Sequence, residues 1–262
     1  MPSNSVYYSK KFFILFCFFN FSFLFSEIEV LIPSIIRKIP HASNAFTQGL
    51  AIDEDKNVLY ESTGLYGRSS VRQIDLKDGK ITRLLNLPSH LFGEGLALAN
   101  NRLVQLTWKE KSALVYSKES FDLLKIFPYT GEGWGLCYDQ ELNRFWMSNG
   151  SSLLFRRDPV NFKIDGALNV HMDGRNIDYL NDLVCAGPVL FANRWGKDFI
   201  YRIDKQTGKV TGMIDASHLL TPAEKANLDP ESVLNGIAYR ESTGTFFLTG
   251  KYWPYIYEVL IK

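Results

Sequence analysis

The sequence predicts an all-β protein, a five-bladed β-propeller whose last blade is closed by the N-terminal strand. Three observations carry that prediction. One opening motif recurs five times, the segments after each opening alternate with period two, and the last copy ends one strand short. Repeats of about 40–50 residues with four strands each are the signature of propeller blades.

The first copy opens with "FTQGLAID" from Phe46, continues through "NVLYEST" and "SSVRQIDL", and ends on "KITRLLNL". The second opens with "FGEGLALA" from Phe92 and continues through "RLVQLTW" and "SALVYSKE". "GEGWGLCYD" from Gly131 opens the third, followed by "RFWMSNG" and "SLLFRRDP". The fourth runs "YLNDLVCAG" from Tyr179, "VLFANRW", "DFIYRIDK" and "KVTGMIDA". The fifth opens with "VLNGIAYRE" from Val233 and ends the chain after "TFFLTGK" and "PYIYEVLI". Turn strings such as "DLKDGK" and "DKQTGK" separate the last two strands of a copy. Compared at Gly49, Gly95, Gly135, Asp182 and Gly236, the openings lie 46, 40, 47 and 54 residues apart. The longest interval holds "DASHLLTPAEKANLDPES", which predicts a short helical insertion near 221–228, capped by Thr221 with Pro222 at its first position. The fourth strand missing from the last copy is supplied by "EIEVLIPSIIRKI", residues 27–39. Closing the ring this way leaves only short, protected edges. Period-two alternation rules out helical solenoids, and a two-sheet sandwich has no reason to repeat its opening motif.

Composition narrows the function. Of 262 residues, 46% are apolar and 22% charged, and 29 basic residues nearly balance 28 acidic ones. That balance gives no electrostatic footprint for nucleic acid. Lys10 and Lys11 precede "FFILFCFFNFSFLF", the pattern of an export signal over residues 1–26. An uncleaved signal anchor is the alternative, because Leu24 is large for a cleavage site. The expected location is periplasmic or secreted, with a single propeller domain over 27–262 and no other membrane segment. Propellers are self-contained, so a monomer is expected. Beyond the leader only Cys137 and Cys185 remain, and their spacing suggests two small buried apolar residues rather than a disulfide framework.

In a propeller the loops entering the inner strands and those joining second to third strands open on one face. The first set carries Gln48, Glu94, Trp134, Asn181 and Asn235. The second carries Ser62 and Thr63, Trp108, Asn149, Trp195 and Lys251. Residues spread over two hundred positions thereby form one ring of a carboxylate, an ammonium, amides and tryptophans, the composition of a small-ligand pocket. Gly93 and Gly95, flanking Glu94, suggest close approach of a substrate to that acid. The four histidines do not recur at these positions and no CxxC or HxxxH occurs, so neither a metal nor another cofactor is expected. No GxSxG or phosphate-cradling loop indicates a serine hydrolase or nucleotide enzyme.

The strings "FTQGL", "ESTGLYGRSSVR", "FGEGL", "LTW", "EGWGL", "LND", "ANRW", "LNGIAY" and "LTGKYWP", in order from about residue 40 to the C-terminus, closely resemble the glutaminyl cyclases of plant and bacterial type. The resemblance implies a five-bladed propeller that converts N-terminal glutamine of peptides or proteins to pyroglutamate, releasing ammonia. It implies Glu94 as the essential acid, with Lys251 and Asn181 as further catalytic groups. It places Phe46, Gln48, Phe92, Trp108, Trp134 and Trp195 around the substrate. The chain departs from the pattern at Asp182 and Val184, where the family tends to carry Glu and a second acid, and at Arg194, where it is more often aliphatic. These departures bear on the pocket rim and on preference for the substrate's second residue.

The chemistry suits the residues. Cyclisation is an intramolecular acyl transfer, so proximity comes with the substrate, and orientation, proton transfer and charge stabilisation fall to the enzyme. A carboxylate can take the amine proton and pass it to the leaving nitrogen. Lys251, Asn181 and Gln48 are candidate donors to the oxyanion. Two rivals stand beside this reading: a non-catalytic propeller that binds peptide N-termini or another partner, and a metal-dependent lactonase-type propeller.

Overall fold

The computed structural model describes Met1 and residues 28–261, so the export signal expected over residues 1–26 lies, Met1 aside, outside the described residues. Five four-stranded antiparallel blades surround a central channel. Their inner strands are Thr47–Asp53, Gly93–Ala99, Leu136–Asp139, Leu180–Ala186 and Leu234–Arg240. Successive strands step outward, to Ile81–Asn86, Leu123–Pro128, Ile164–Asn169 and Val210–Asp215 in the first four blades. Burial follows the same gradient. The first inner strand is buried at six of seven positions, whereas Ile81–Asn86 is exposed at five of six. Alternating side chains of neighbouring blades fill five apolar seams between them.

The N-terminal run closes the ring and then goes further than expected. Pro33–Pro40 pairs antiparallel with Tyr255–Ile261 as the outer strand of blade five. The residues before it, Glu29–Leu31, leave that blade and pair in parallel with Val210–Asp215 of blade four. The reason is length: at about 3.3 Å per residue an extended run of a dozen residues outreaches one blade edge. Arg202 fixes the far end through Glu29, 2.7 Å away.

The inner strands approach one another more closely than side chains allow. A Cβ on Gly49 would lie 2.6 Å from Leu96 N, and one on Gly95 2.6 Å from both Leu136 N and Trp134 O. Gly135 is similarly pressed against Asn181 and Asp182 of blade four. Gly93 is packed as tightly, a Cβ there lying 2.6 Å from Gln105 Nε2 and 2.7 Å from Thr63 O, so both glycines flanking Glu94 are needed by blade packing. Blade four alone carries a side chain here. The Asp182 carboxylate accepts hydrogen bonds from Ile237 N of blade five (2.9 Å) and Leu50 N of blade one (3.3 Å), tying three blades across the channel.

Two further expectations change. Cys137 and Cys185 form a disulfide between the inner strands of blades three and four, with Cα atoms 5.8 Å apart. Their adjacency exists only once the blades stand side by side, so a separation of 48 residues concealed it. The insertion folds as a single turn of helix, Pro222–Ala226, shorter than expected and with no buried residue. A reciprocal capping box between Thr221 and Glu224 holds it.

Candidate active site

All nine residues singled out as catalytic or substrate-binding line one pocket of about 410 Å³: Phe46, Gln48, Phe92, Glu94, Trp108, Trp134, Asn181, Trp195 and Lys251. The local device that aims them is a β-bulge. Pairing of the inner strand with its neighbour slips between Thr47 and Gly49, Gly93 and Leu96, Leu180 and Leu183, and Leu234 and Ile237. Each slip brackets the polar residue, namely Gln48, Glu94, Asn181 and Asn235. An extra residue at a bulge re-aims a side chain that regular pleating would send into a seam.

The second set of positions is fixed by one repeated backbone hydrogen bond. Trp108 N donates to Phe92 O (2.9 Å), Trp195 N to Tyr179 O (2.9 Å) and Lys251 N to Val233 O (3.0 Å). In blade one the same bond runs from Gly64 N to Phe46 O (2.8 Å), so Gly64 is the equivalent position. Ser62 and Thr63, expected at the mouth, are instead buried and bonded to Gln105 and Ser70. The Phe92 ring fills the space left by the missing side chain of Gly64. Asn149 also stays out of the pocket, its side chain accepting from Ser151.

A polar relay crosses the floor. Asn235 Nδ2 donates to Gln48 Oε1 at 3.0 Å, which turns the Gln48 amide nitrogen toward Glu94 Oε1, also at 3.0 Å. Burial raises the Glu94 carboxyl well above its ordinary range. Attraction from Lys251 works against that shift, and the negative charges of Glu132, Asp182 and Glu110 add to it. Lys251 is lowered by burial, with Glu94 and Glu231 opposing. Both groups are thus drawn toward neutrality, the state in which a carboxyl and an amine exchange protons readily. The Lys251 ammonium also sits 4.2 Å above the centre of the Phe46 ring. The buried side-chain oxygen of Asn181 has no protein partner, so it is left to accept a hydrogen bond from a ligand.

Aromatic rings wall the rest. Phe92 packs on Trp108 with centroids 5.4 Å apart, and Trp134 meets Trp195 at 6.5 Å. Trp195 is half exposed and forms the rim. The residues departing from the family pattern do not line this pocket. Arg194 donates to Asp178 O, and Val184 packs in the seam between blades four and five.

Several residues escaped the sequence reading. Leu65 and Glu231 also line the pocket. Leu65 has a left-handed backbone (φ 86°), for which "STGLYG" offers only its neighbouring glycine as a signal. Glu231 comes from the insertion, which has no counterpart in other repeats. Glu132 accepts from the indole nitrogens of both Trp108 and Trp134. Among the described residues, no group of three or more His, Cys, Asp or Glu side chains is placed to hold a metal ion.

Comparison with known proteins agrees along nearly the whole chain. A family model described as glutamine cyclotransferase matches residues 16–261. A glutaminyl-peptide cyclotransferase of Arabidopsis thaliana is 37% identical over 238 residues, covering 90% of this chain and 72% of that relative. The crystal structure of Myxococcus xanthus glutaminyl cyclase superposes with a TM-score of 0.83 at 38% identity, covering 90% of this chain and 99% of that one.

Proposed function

The chain belongs to the glutamine cyclotransferase family and is a glutaminyl-peptide cyclotransferase, and on that premise we propose that it closes N-terminal glutamine by metal-independent acid–base catalysis centred on Glu94. The substrate's γ-carboxamide enters between Phe46, Phe92 and the three tryptophans. Its α-amine meets Glu94, which accepts the ammonium proton. The freed amine attacks the side-chain carbonyl carbon, and the new C–N bond closes the five-membered lactam. Lys251 and the amide nitrogen of Asn181 donate to the oxyanion, where one well-placed donor is worth roughly 3–4 kcal/mol. Glu94 then returns that proton to the departing nitrogen, the old C–N bond breaks and ammonia leaves, and the carboxylate takes the second proton from the ring nitrogen and releases it to water. Gln48 holds the carboxylate in position, because its amide is oriented by Asn235.

The observation that carries this reading is the pairing of a buried Glu94, whose affinity for a proton burial raises, with a buried Lys251 around a single aromatic pocket. A propeller that only bound peptide N-termini would have no need to bury both. The basic and apolar leader supports export of the enzyme to the periplasm or exterior, where peptide N-termini are its substrates. The test is ammonia release from a short peptide beginning with Gln, in the presence of chelator. Wild type is expected to turn over, Glu94→Gln to lose activity by a hundredfold or more while remaining folded, and Lys251→Ala to lose it comparably. A folded wild type that releases no ammonia sinks the proposal, and activity abolished by chelator sinks its metal-independent part.

A further inference from the structure

The string "GEGWG" is explained by packing at four of its five residues. Gly131 has a left-handed backbone (φ 83°), Gly133 leaves room for the Tyr129 hydroxyl, Trp134 lines the pocket, and Gly135 presses on blade four. Glu132 is left over. It does not line the pocket. Its Oε2 accepts from Trp108 Nε1 at 2.8 Å and from Trp134 Nε1 at 3.0 Å. Trp108 belongs to the outer loop of blade two and Trp134 to the entry of blade three, so one carboxylate oxygen fixes two walls from different blades. A backbone bond from Gly133 N to Trp108 O, 3.1 Å, holds the same two loops together.

We propose that Glu132 is a positioning residue for the cyclisation: it clamps the Trp108 and Trp134 indoles and so sets the aromatic wall that turns the glutamine side chain toward Glu94. An indole held only by ring packing can swing about its two side-chain torsions, whereas a shared acceptor fixes both rings against one point. Charge-assisted acceptance is stronger than a neutral hydrogen bond, and a single oxygen receiving two donors also fixes the spacing between them. Glu132 has a second, separable influence. Its charge is the largest of the negative contributions that raise the Glu94 carboxyl.

Substitution separates the two. Glu132→Gln retains an oxygen able to accept from both indoles but removes the charge. Glu132→Ala removes both. The proposal rests on the cyclase reading, so turnover of a Gln-initiated peptide by wild type is measured first. Lack of turnover by folded wild type would sink that reading. With turnover established, Glu132→Ala is expected to raise KM about tenfold or more, as loss of orientation does, and to shift tryptophan emission. Glu132→Gln is expected to keep KM within about twofold of wild type and leave emission in place. It also moves the acid limb of the kcat/KM profile to lower pH, because Glu94 then loses its proton more readily. An unmoved KM in a folded Glu132→Ala chain overturns the clamp, as does a Glu132→Gln chain whose KM rises as far as that of the alanine variant. Should the alanine chain fail to fold, Trp134→Phe keeps a ring but removes one donated bond. A severalfold rise in KM is then expected, and no rise overturns the proposal.

Discussion

At the scale of single residues, the site places a carboxyl where water cannot stabilise its charge, and that has a cost the fold must carry. Burial is the largest influence on Glu94 and the attraction of Lys251 is smaller, so the net shift is upward from the ordinary 4.5. A carboxyl that binds its proton more tightly when folded costs stability as pH rises from the unfolded value through the raised folded one. Glu94→Gln should therefore melt above wild type by a few degrees at neutral pH. The difference should shrink to nothing below pH 4.5. Thermal melts across pH check this, and a variant that melts lower at neutral pH would mean that the Lys251 attraction outweighs burial. Residues at equivalent repeat positions were legible in the sequence because five copies made the odd carboxylate and the odd ammonium stand out. Leu65, Glu132 and Glu231 were not. Two act through a turn or an insertion that the repeat does not carry, and Glu132 looks like any solvated turn glutamate until the indole nitrogens are placed.

At the scale of elements, the sequence carried the strand periodicity but not the contacts between strands of different blades. Gly95 read as a neighbour of Glu94, and the structure makes it the contact point of blades two and three. Gly95→Ala would set a methyl 2.6 Å from Leu136 N and Trp134 O, backbone atoms that no rotamer change can move. A loss of roughly 2–3 kcal/mol is expected, together with reduced turnover, because Glu94 is the next residue. Gly166→Ala is the matched control. Its new methyl would meet only the end of the exposed Arg156 side chain, and a change within about 0.5 kcal/mol is expected. Denaturant titration of both variants decides the matter, and equal losses would show that the inner-strand contact is not special. The disulfide was hidden for the same reason, since adjacency of Cys137 and Cys185 is a property of neighbouring blades. Bridging a separation of 48 residues, it should contribute about 2–4 kcal/mol, so a Cys137→Ser, Cys185→Ser chain should unfold at lower denaturant than the oxidised wild type. A midpoint equal to wild type would mean that the bridge adds nothing to stability.

At the scale of the whole molecule, five blades form a ring only if the last is joined to the first, and here the join is made by the N-terminal run. Its two parts do different work. Pro33–Pro40 completes blade five along eight residues and buries Ile39 in the seam between blades five and one. Glu29–Leu31 adds three residues of parallel pairing and buries Leu31 between blades four and five. Burying each such side chain is worth about 1.5–3 kcal/mol. Beginning the chain at Pro33 should thus cost roughly that amount, lowering the melting temperature while leaving a closed, active ring. Beginning it at Ala42 removes Ile39, a whole ladder and His41, whose ring bridges Trp253 O and the buried Glu61 beside the loop that carries Lys251. It also leaves Tyr255–Ile261 as an unpaired edge of the kind that recruits other chains. Those losses together approach the whole stability of a typical domain, about 5–15 kcal/mol. The shorter truncation should therefore melt cooperatively with ammonia release intact, and the longer one should aggregate or show no cooperative melt. If the chain starting at Ala42 were instead monomeric and as stable as the one starting at Pro33, closure would lie in the blade seams alone. The N-terminal strand would then be an ornament of the ring rather than its latch.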